Sequence, residues 1–161
     1  MLMACQNNKD LPTIKDFDLE KYLGIWYEIA RLPNRFEKGL DCCTAEYSLK
    51  ENGKIKVVNR GRKLSDNGKF KSATGTAWIP DENFPGRLKV RFFWPFSGNY
   101  YIIELDKHYQ YVLVGDPSRK YLWILSRKNA LDEETYTYLE QIAAKNGFNV
   151  EMLMKVNQDC D

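Results

Sequence analysis

The sequence predicts an all-β fold, an eight-stranded antiparallel up-and-down β-barrel with one flanking α-helix near the C-terminus. Three observations carry that prediction. Strand-like segments follow one another from residue 25 to residue 127 with only turns between them, which argues for a meander closed on itself. The turns have hairpin chemistry, most clearly at Glu51-Asn52-Gly53, where Asn-Gly suits the positive φ angles of a tight loop. Sustained helical spacing of apolar residues begins only after Asp132.

Taken in order, Leu11-Pro12-Thr13 and Phe17 lead to Asp18, an N-cap for one helical turn through Leu23. Gly24 permits a sharp change of direction and a close backbone approach. The first strand, 25–32, opens on Trp26, a large anchor whose indole N–H needs a partner, and stops at Pro33. Residues 33–41 form a long loop containing Phe36 and Gly39. Strands two to four span 42–50, 54–61 and 69–79, with a polar turn at Ser65-Asp66-Asn67-Gly68 before the fourth. The fifth, 87–93, alternates Leu88, Val90 and Phe92 against Arg87, Lys89 and Arg91. The sixth, 99–105, is apolar on both faces through Tyr100-Tyr101-Ile102-Ile103, so its inward side is not readable. A turn at Asp106-Lys107-His108-Tyr109 leads to the seventh strand, 110–115, and 121–127 is the eighth. Asp132 caps the helix, and Glu133 and Glu134 suit the positive end of its dipole. Its apolar face runs through Tyr138, Leu139, Ile142 and Ala143, and Gly147 closes it. Residues 150–154 add a short final strand.

A chain of 161 residues forms one domain and buries about 70% of its unfolded surface. Its 24 basic and 22 acidic residues are scattered together, so no stripe for nucleic acid is visible. No run reaches the roughly 18 apolar residues that a membrane-spanning helix needs. The one histidine, His108, lies in a turn beside Asp106, and a Ser-His-Asp relay would have to recruit it. No Cys/His spacing matches a zinc site, and no glycine-rich phosphate loop is present. No catalytic residue, metal or cofactor is therefore expected.

Gly24-Ile25-Trp26-Tyr27, the turn on Asp106, and Arg127 at the end of Tyr121-Leu122-Trp123-Ile124-Leu125-Ser126 occur in an order that resembles the lipocalin family. The likeness runs from about Phe17 to Cys160 and is greatest to the bacterial and apolipoprotein D-like lipocalins. It implies that the three segments meet at the closed end of the barrel, with the Arg127 guanidinium stacked on Trp26. It also implies that the 33–41 loop lies over the open end, and that the interior holds one small ligand rather than being filled. Trp123 then resembles a pocket-wall tryptophan, and strand parity takes Tyr121 and Leu125 with it.

Cys42 and Cys43 are adjacent on a strand and point to opposite faces. Thr44 and Glu46 share the face of Cys42, whereas Ala45, Tyr47 and Leu49 share that of Cys43. The polar set faces out and the apolar set in. A tail wrapped outside the barrel reaches only the outward thiol, so the predicted disulfide is Cys42–Cys160, where the family resemblance also implies a bridge. Cys43 stays a buried thiol, and the bridge implies an oxidising compartment. The same parity places Ala45, Tyr47, Val57, Asn59, Leu88, Val90 and Phe92 on the cavity wall. Tyr, Asn and Trp among aliphatic residues suit a pocket with a few polar handles. Arg60, Arg62 and Lys89 lie near the mouth but face out.

Residues 1–16 read as an N-terminal tether and 17–161 as the lipocalin domain. Leu2-Met3-Ala4-Cys5 resembles a bacterial lipobox, which implies acylation of Cys5 and a membrane anchor; a late start, a trimmed chain and a chance match are the alternatives. The expected function is non-covalent binding, storage or transport of a fatty acid or lysophospholipid. The expected place is the bacterial outer membrane facing the periplasm, or outside the cell as a secreted protein. No nucleic-acid partner is expected, and a homodimer is left open. Two rival readings remain: a filled barrel that docks a partner through the Trp94-Pro95-Phe96 loop, and an enzyme on the same barrel using His108.

Overall fold

Asp18 accepts hydrogen bonds from the backbone N–H groups of Glu20 and Lys21 and starts a single helical turn, α1 (Leu19–Tyr22). Gly24, at φ +101°, swings the chain into the first strand. This is a computed structural model, and it describes residues 10–93 and 96–160. Cys5 and the rest of residues 1–9, with Trp94 and Pro95 of the segment expected to dock a partner, lie outside the described residues.

Eight strands follow as a meander: β1 (Gly24–Arg31), β2 (Leu40–Leu49), β3 (Ile55–Lys63), β4 (Phe70–Trp78), β5 (Arg87–Phe93), β6 (Phe96–Leu105), β7 (Tyr111–Gly115) and β8 (Leu122–Ser126). Each pairs antiparallel with the next, and β1 pairs with both β8 and β2, which closes the barrel. The hairpin expected at Asn52-Gly53 forms, with Gly53 at φ +82°. The turn before β4 forms on Asn67 and Gly68, both at positive φ.

Two packed layers result. Inside the barrel, Trp26, Tyr47, Val57, Leu88, Ile102 and Val112 form one buried cluster. Outside, α2 (Glu133–Lys145), capped by Asp132, lays Tyr136, Leu139 and Ala143 on Ile29, Leu113 and Ile124 of the barrel wall. Leu11 is fully buried in this outer layer, and Ile14 N–H donates to the Ile102 carbonyl.

The last segment departs from expectation. The strand expected at 150–154 is a 3-10 turn (Val150–Met152) followed by a two-residue strand, β9 (Met154–Lys155), paired with Ala30 and Arg31. The tail is also not simply wrapped outside. β2 leaves β1 after Tyr27–Thr44, and the tail fills the gap between them. Gln158 Nε2 donates to the carbonyls of Glu28 on β1 and Cys43 on β2, at 2.7 and 2.8 Å. The Asn157 carbonyl accepts from the Cys42 N–H. The Cys42–Cys160 disulfide pins this wedge, and Cys43 is a buried free thiol, as predicted. Leu49, expected inward, shares a face with Ile55 but sits at the strand end and is 53% exposed.

Candidate functional site

The end of the barrel beneath β1 is sealed by the signature residues. The Arg127 guanidinium lies 3.9 Å from the centroid of the Trp26 ring. It donates to the carbonyls of Ile25, Lys21 and Tyr109 at 3.0, 2.8 and 3.2 Å. A side chain at Gly24 would meet Arg127 Nη1 at 3.3 Å, so the glycine makes room for the guanidinium. The Trp26 indole N–H finds the Tyr22 carbonyl at 2.8 Å. Asp106 holds its turn by accepting from the Gln110 N–H at 3.2 Å. His108 is exposed in that turn.

Above this floor the polar atoms of three tyrosines converge. Tyr100 Oη lies 2.5 Å from Tyr22 Oη and 2.8 Å from Tyr47 Oη. Burial pushes all three phenols up, so they stay protonated and act as hydrogen-bonding groups. Parity pointed to Tyr47 alone, because β6 is apolar on both faces and Tyr22 precedes the first strand.

The residues expected on the cavity wall divide by height. Tyr47, Val57, Leu88 and Leu125 are buried in the packed inner cluster. Ala45, Val90, Phe92 and Trp123 are half-buried against it. Asn59 occupies the inward face of β3, in register with Ala45 and Ala73, yet it is exposed, as is Ala73. Inward-facing but exposed positions mean that the interior opens towards this end. The Phe92 ring lies over Gly75, 2.8 Å from where a Cβ would stand. Tyr121, half-buried, stacks on Trp123 with centroids 5.9 Å apart.

Residues 33–39 cover this mouth. Phe36 lies 6.2 Å from the Tyr121 ring, and Glu37 reaches into the barrel. Glu37 Oε1 accepts from Trp123 Nε1 at 2.7 Å and from Asn34 Nδ2 at 3.1 Å, while Oε2 lies 3.5 Å from Arg31 Nη1. Arg31, 3% exposed, also donates to Glu28 Oε1 at 3.0 Å, to Cys43 Sγ at 3.5 Å, and to the carbonyls of Glu37 and Leu40. Its Nε–H is buried without an acceptor.

One guanidinium thus serves two carboxyls. Burial, together with the hydrogen bond and negative charge of Glu37, holds the Glu28 carboxyl well above the usual range, so it keeps its proton. Burial opposes the Glu37 charge too, but hydrogen bonds from Glu28, Trp123 and Asn34 and the Arg31 charge outweigh it and hold Glu37 low. Burial beside these carboxyls pushes the Cys43 thiol up to about 12. Ligand atoms of Glu28, Glu37 and Cys43 lie within 4.8 Å of one another, but Arg31 donates into the group and the thiol is protonated. The group is an ion-pair network, not a cation cage.

Sequence parity missed this network. Simple alternation from Trp26 puts Arg31 outside, but a bulge between Glu28 and Ala30 shifts the register and turns Arg31 inward opposite Trp123. The signal available was a glutamate and an arginine inside an otherwise apolar strand. Arg62 faces out, as expected, and pairs bidentately with Asp41 at 2.8 Å.

Residues 17–158 match the lipocalin-like domain family. The chain belongs to the lipocalin family. Its relatives include the outer membrane lipoprotein Blc of Citrobacter freundii, 41% identical over 161 residues, covering 98% of this chain and 90% of that one. Apolipoprotein D of Cavia porcellus is 37% identical over 155 residues, covering 91% and 80%. Among solved structures, insecticyanin from Manduca sexta superposes with a TM-score of 0.72 at 24% identity, over 92% of this chain and 84% of that one; this likeness is one of fold. The signature in this lipocalin is thus the Trp26–Arg127 seal at one end, with a ligand-binding barrel opening at the other.

Proposed function

We propose that this lipocalin binds a single-chain lipid, a fatty acid or a lysophospholipid, non-covalently through the mouth of the barrel. The observation that carries the reading is the gradient along the interior: packed at the Trp26 floor, half-buried at Trp123 and Phe92, exposed at Asn59 and Ala73. Burying about a dozen methylenes at ~0.8 kcal/mol each offers ~10 kcal/mol gross. Association and ordering costs reduce that to an affinity on the order of micromolar. The names of the Blc relatives, outer membrane lipoproteins, support a place at the bacterial outer membrane. The lipobox-like Leu2-Met3-Ala4-Cys5 supports an anchor through an acylated Cys5, with the barrel facing the periplasm. The disulfide supports an oxidising compartment.

The test is a titration with dodecanoate and dodecanoyl-lysophosphatidylcholine followed by tryptophan fluorescence. Saturable quenching near one equivalent, weakened on Trp123→Ala, is the expected result. No response to either amphiphile overturns the reading.

A further inference from the structure

Resting on that reading, we propose that Arg31 and the Trp123 indole N–H form a seat for the carboxylate of a fatty acid, which Glu37 of the 33–39 loop occupies until a ligand displaces it. The seat is defined by what already sits in it. A carboxylate from a loop, not from the barrel wall, takes the indole N–H at 2.7 Å with one oxygen and stands 3.5 Å from the guanidinium with the other. A fatty acid presents the same planar group on an aliphatic stem. It therefore repeats these contacts without a change of charge at a site where an unmatched charge is costly.

Two further observations point to an exchangeable guest. The Arg31 Nε–H is buried with no acceptor, so the guanidinium has donor capacity that the loop carboxylate leaves unused. Glu28, held on Nη1 at 3.0 Å from the strand itself, is the fixed partner, whereas Glu37 belongs to a covering loop outside the strand ladder. Within the loop Asn34 Oδ1 accepts from the Phe36 and Glu37 N–H groups, and the Glu37 carbonyl accepts from Arg31 Nη2, so the backbone is anchored and it is the Glu37 side chain that yields the seat. Its Phe36 is 58% exposed. The acyl chain would run from Arg31 past Trp123 towards the half-buried Ala45, Val90 and Phe92.

The seat selects among amphiphiles. A fatty carboxylate matches Glu37 in charge and shape; a fatty alcohol has no charge to exchange; a lysophosphatidylcholine brings a bulky zwitterion. Calorimetric titration of the full chain at neutral pH with dodecanoate, dodecanol and dodecanoyl-lysophosphatidylcholine reads this directly. Dodecanoate is expected to bind at least about tenfold tighter than dodecanol. Glu37→Gln, which removes the competing charge, is expected to raise the dodecanoate-to-dodecanol affinity ratio at least about threefold. Glu28→Gln with Glu37→Gln, which also stops Glu28 from ionising once the Glu37 charge no longer holds its proton on, keeps Arg31 without any carboxylate and raises the ratio further. If the double variant does not fold, the single one decides.

Equal binding of acid and alcohol, or a ratio unchanged or lowered by Glu37→Gln, overturns the seat while leaving the lipid-binding reading intact. Preference for the lysophospholipid over the fatty acid also overturns it. No binding of any of the three overturns both.

Discussion

At the scale of single residues, two guanidiniums do opposite jobs. Arg127 closes the barrel floor with one face on Trp26 and three hydrogen bonds to carbonyls from three segments. Lysine carries the charge but lacks the planar fork, so it cannot reach all three at once. Arg127→Lys should cost about 2 kcal/mol and Arg127→Ala about 3 kcal/mol in urea unfolding, from lost charged hydrogen bonds and the cation–π contact. Arg31 instead sits between two carboxyls, and its surroundings make stability depend on pH. Glu28 on β1 faces Arg31, Glu37 from the loop and Cys43 from β2. Its folded value lies above the ordinary 4.5, so the folded chain holds the proton more tightly than the unfolded chain. That contribution is complete below 4.5 and is lost as pH rises towards the folded value. Glu37, held low, works the other way: its contribution is present above 4.5 and is lost as pH falls through its folded value. Glu28→Gln keeps the neutral hydrogen-bonding form at every pH. Relative to wild type it should therefore gain stability as pH rises above the ordinary 4.5 towards the raised folded value, whereas parallel unfolding curves would refute the assignment.

At the scale of elements, the region where β1 and β2 part is the least regular piece of the fold and the most consequential. Two bulges lie there, one between Glu28 and Ala30 and one between Asp41 and Thr44, where Cys42 takes φ +51°. The first turns Arg31 inward; the second places Asp41 outside, where it pairs with Arg62. The opening they create is filled by β9 and Gln158, and the disulfide spans 118 residues to hold that filling in place. Constraining so long a loop is worth about 5 kcal/mol in the loop-entropy account. Cys160→Ser should lower stability by about that amount. It should also strip hydrogen-exchange protection from the Val156 N–H, which donates to the Ile29 carbonyl. Unchanged protection would mean the wedge holds without its staple. Cys43, buried and pushed up to about 12, should resist alkylation in the native state and react only on unfolding.

At the scale of the whole molecule, strand order, the flanking helix and the disulfide were legible because each rests on a local signal, whereas the Trp26–Arg127 seal joins distant segments and was implied by the family resemblance alone. Asn-Gly turns set the meander, Asp132 starts the helix, and alternation along β2 sorts the two adjacent cysteines. The mouth network was not legible, and the reason is physical. Period-two alternation holds only while the ladder is regular, and one extra residue at a bulge inverts every position beyond it. Arg31 lies beyond such a bulge, Glu37 lies in a loop with no period at all, and nothing local links either to Trp123. Similarly, Tyr100 could not be assigned a face within a run that is apolar on both sides. A short strand was expected over 150–154; the chain instead bends at the 3-10 turn to reach the gap beside β1.

A barrel sealed at Trp26 and open at Asn59 has room for an acyl chain, and whether it carries one can be read from its mass. Native mass spectrometry of the full chain, purified without detergent and followed by organic extraction, tests it most directly. The expected result is a population heavier by the mass of one fatty acid or lysophospholipid, stripped by extraction and restored by adding that lipid back. A single apo mass that stays apo in the presence of excess acyl chains would contradict it.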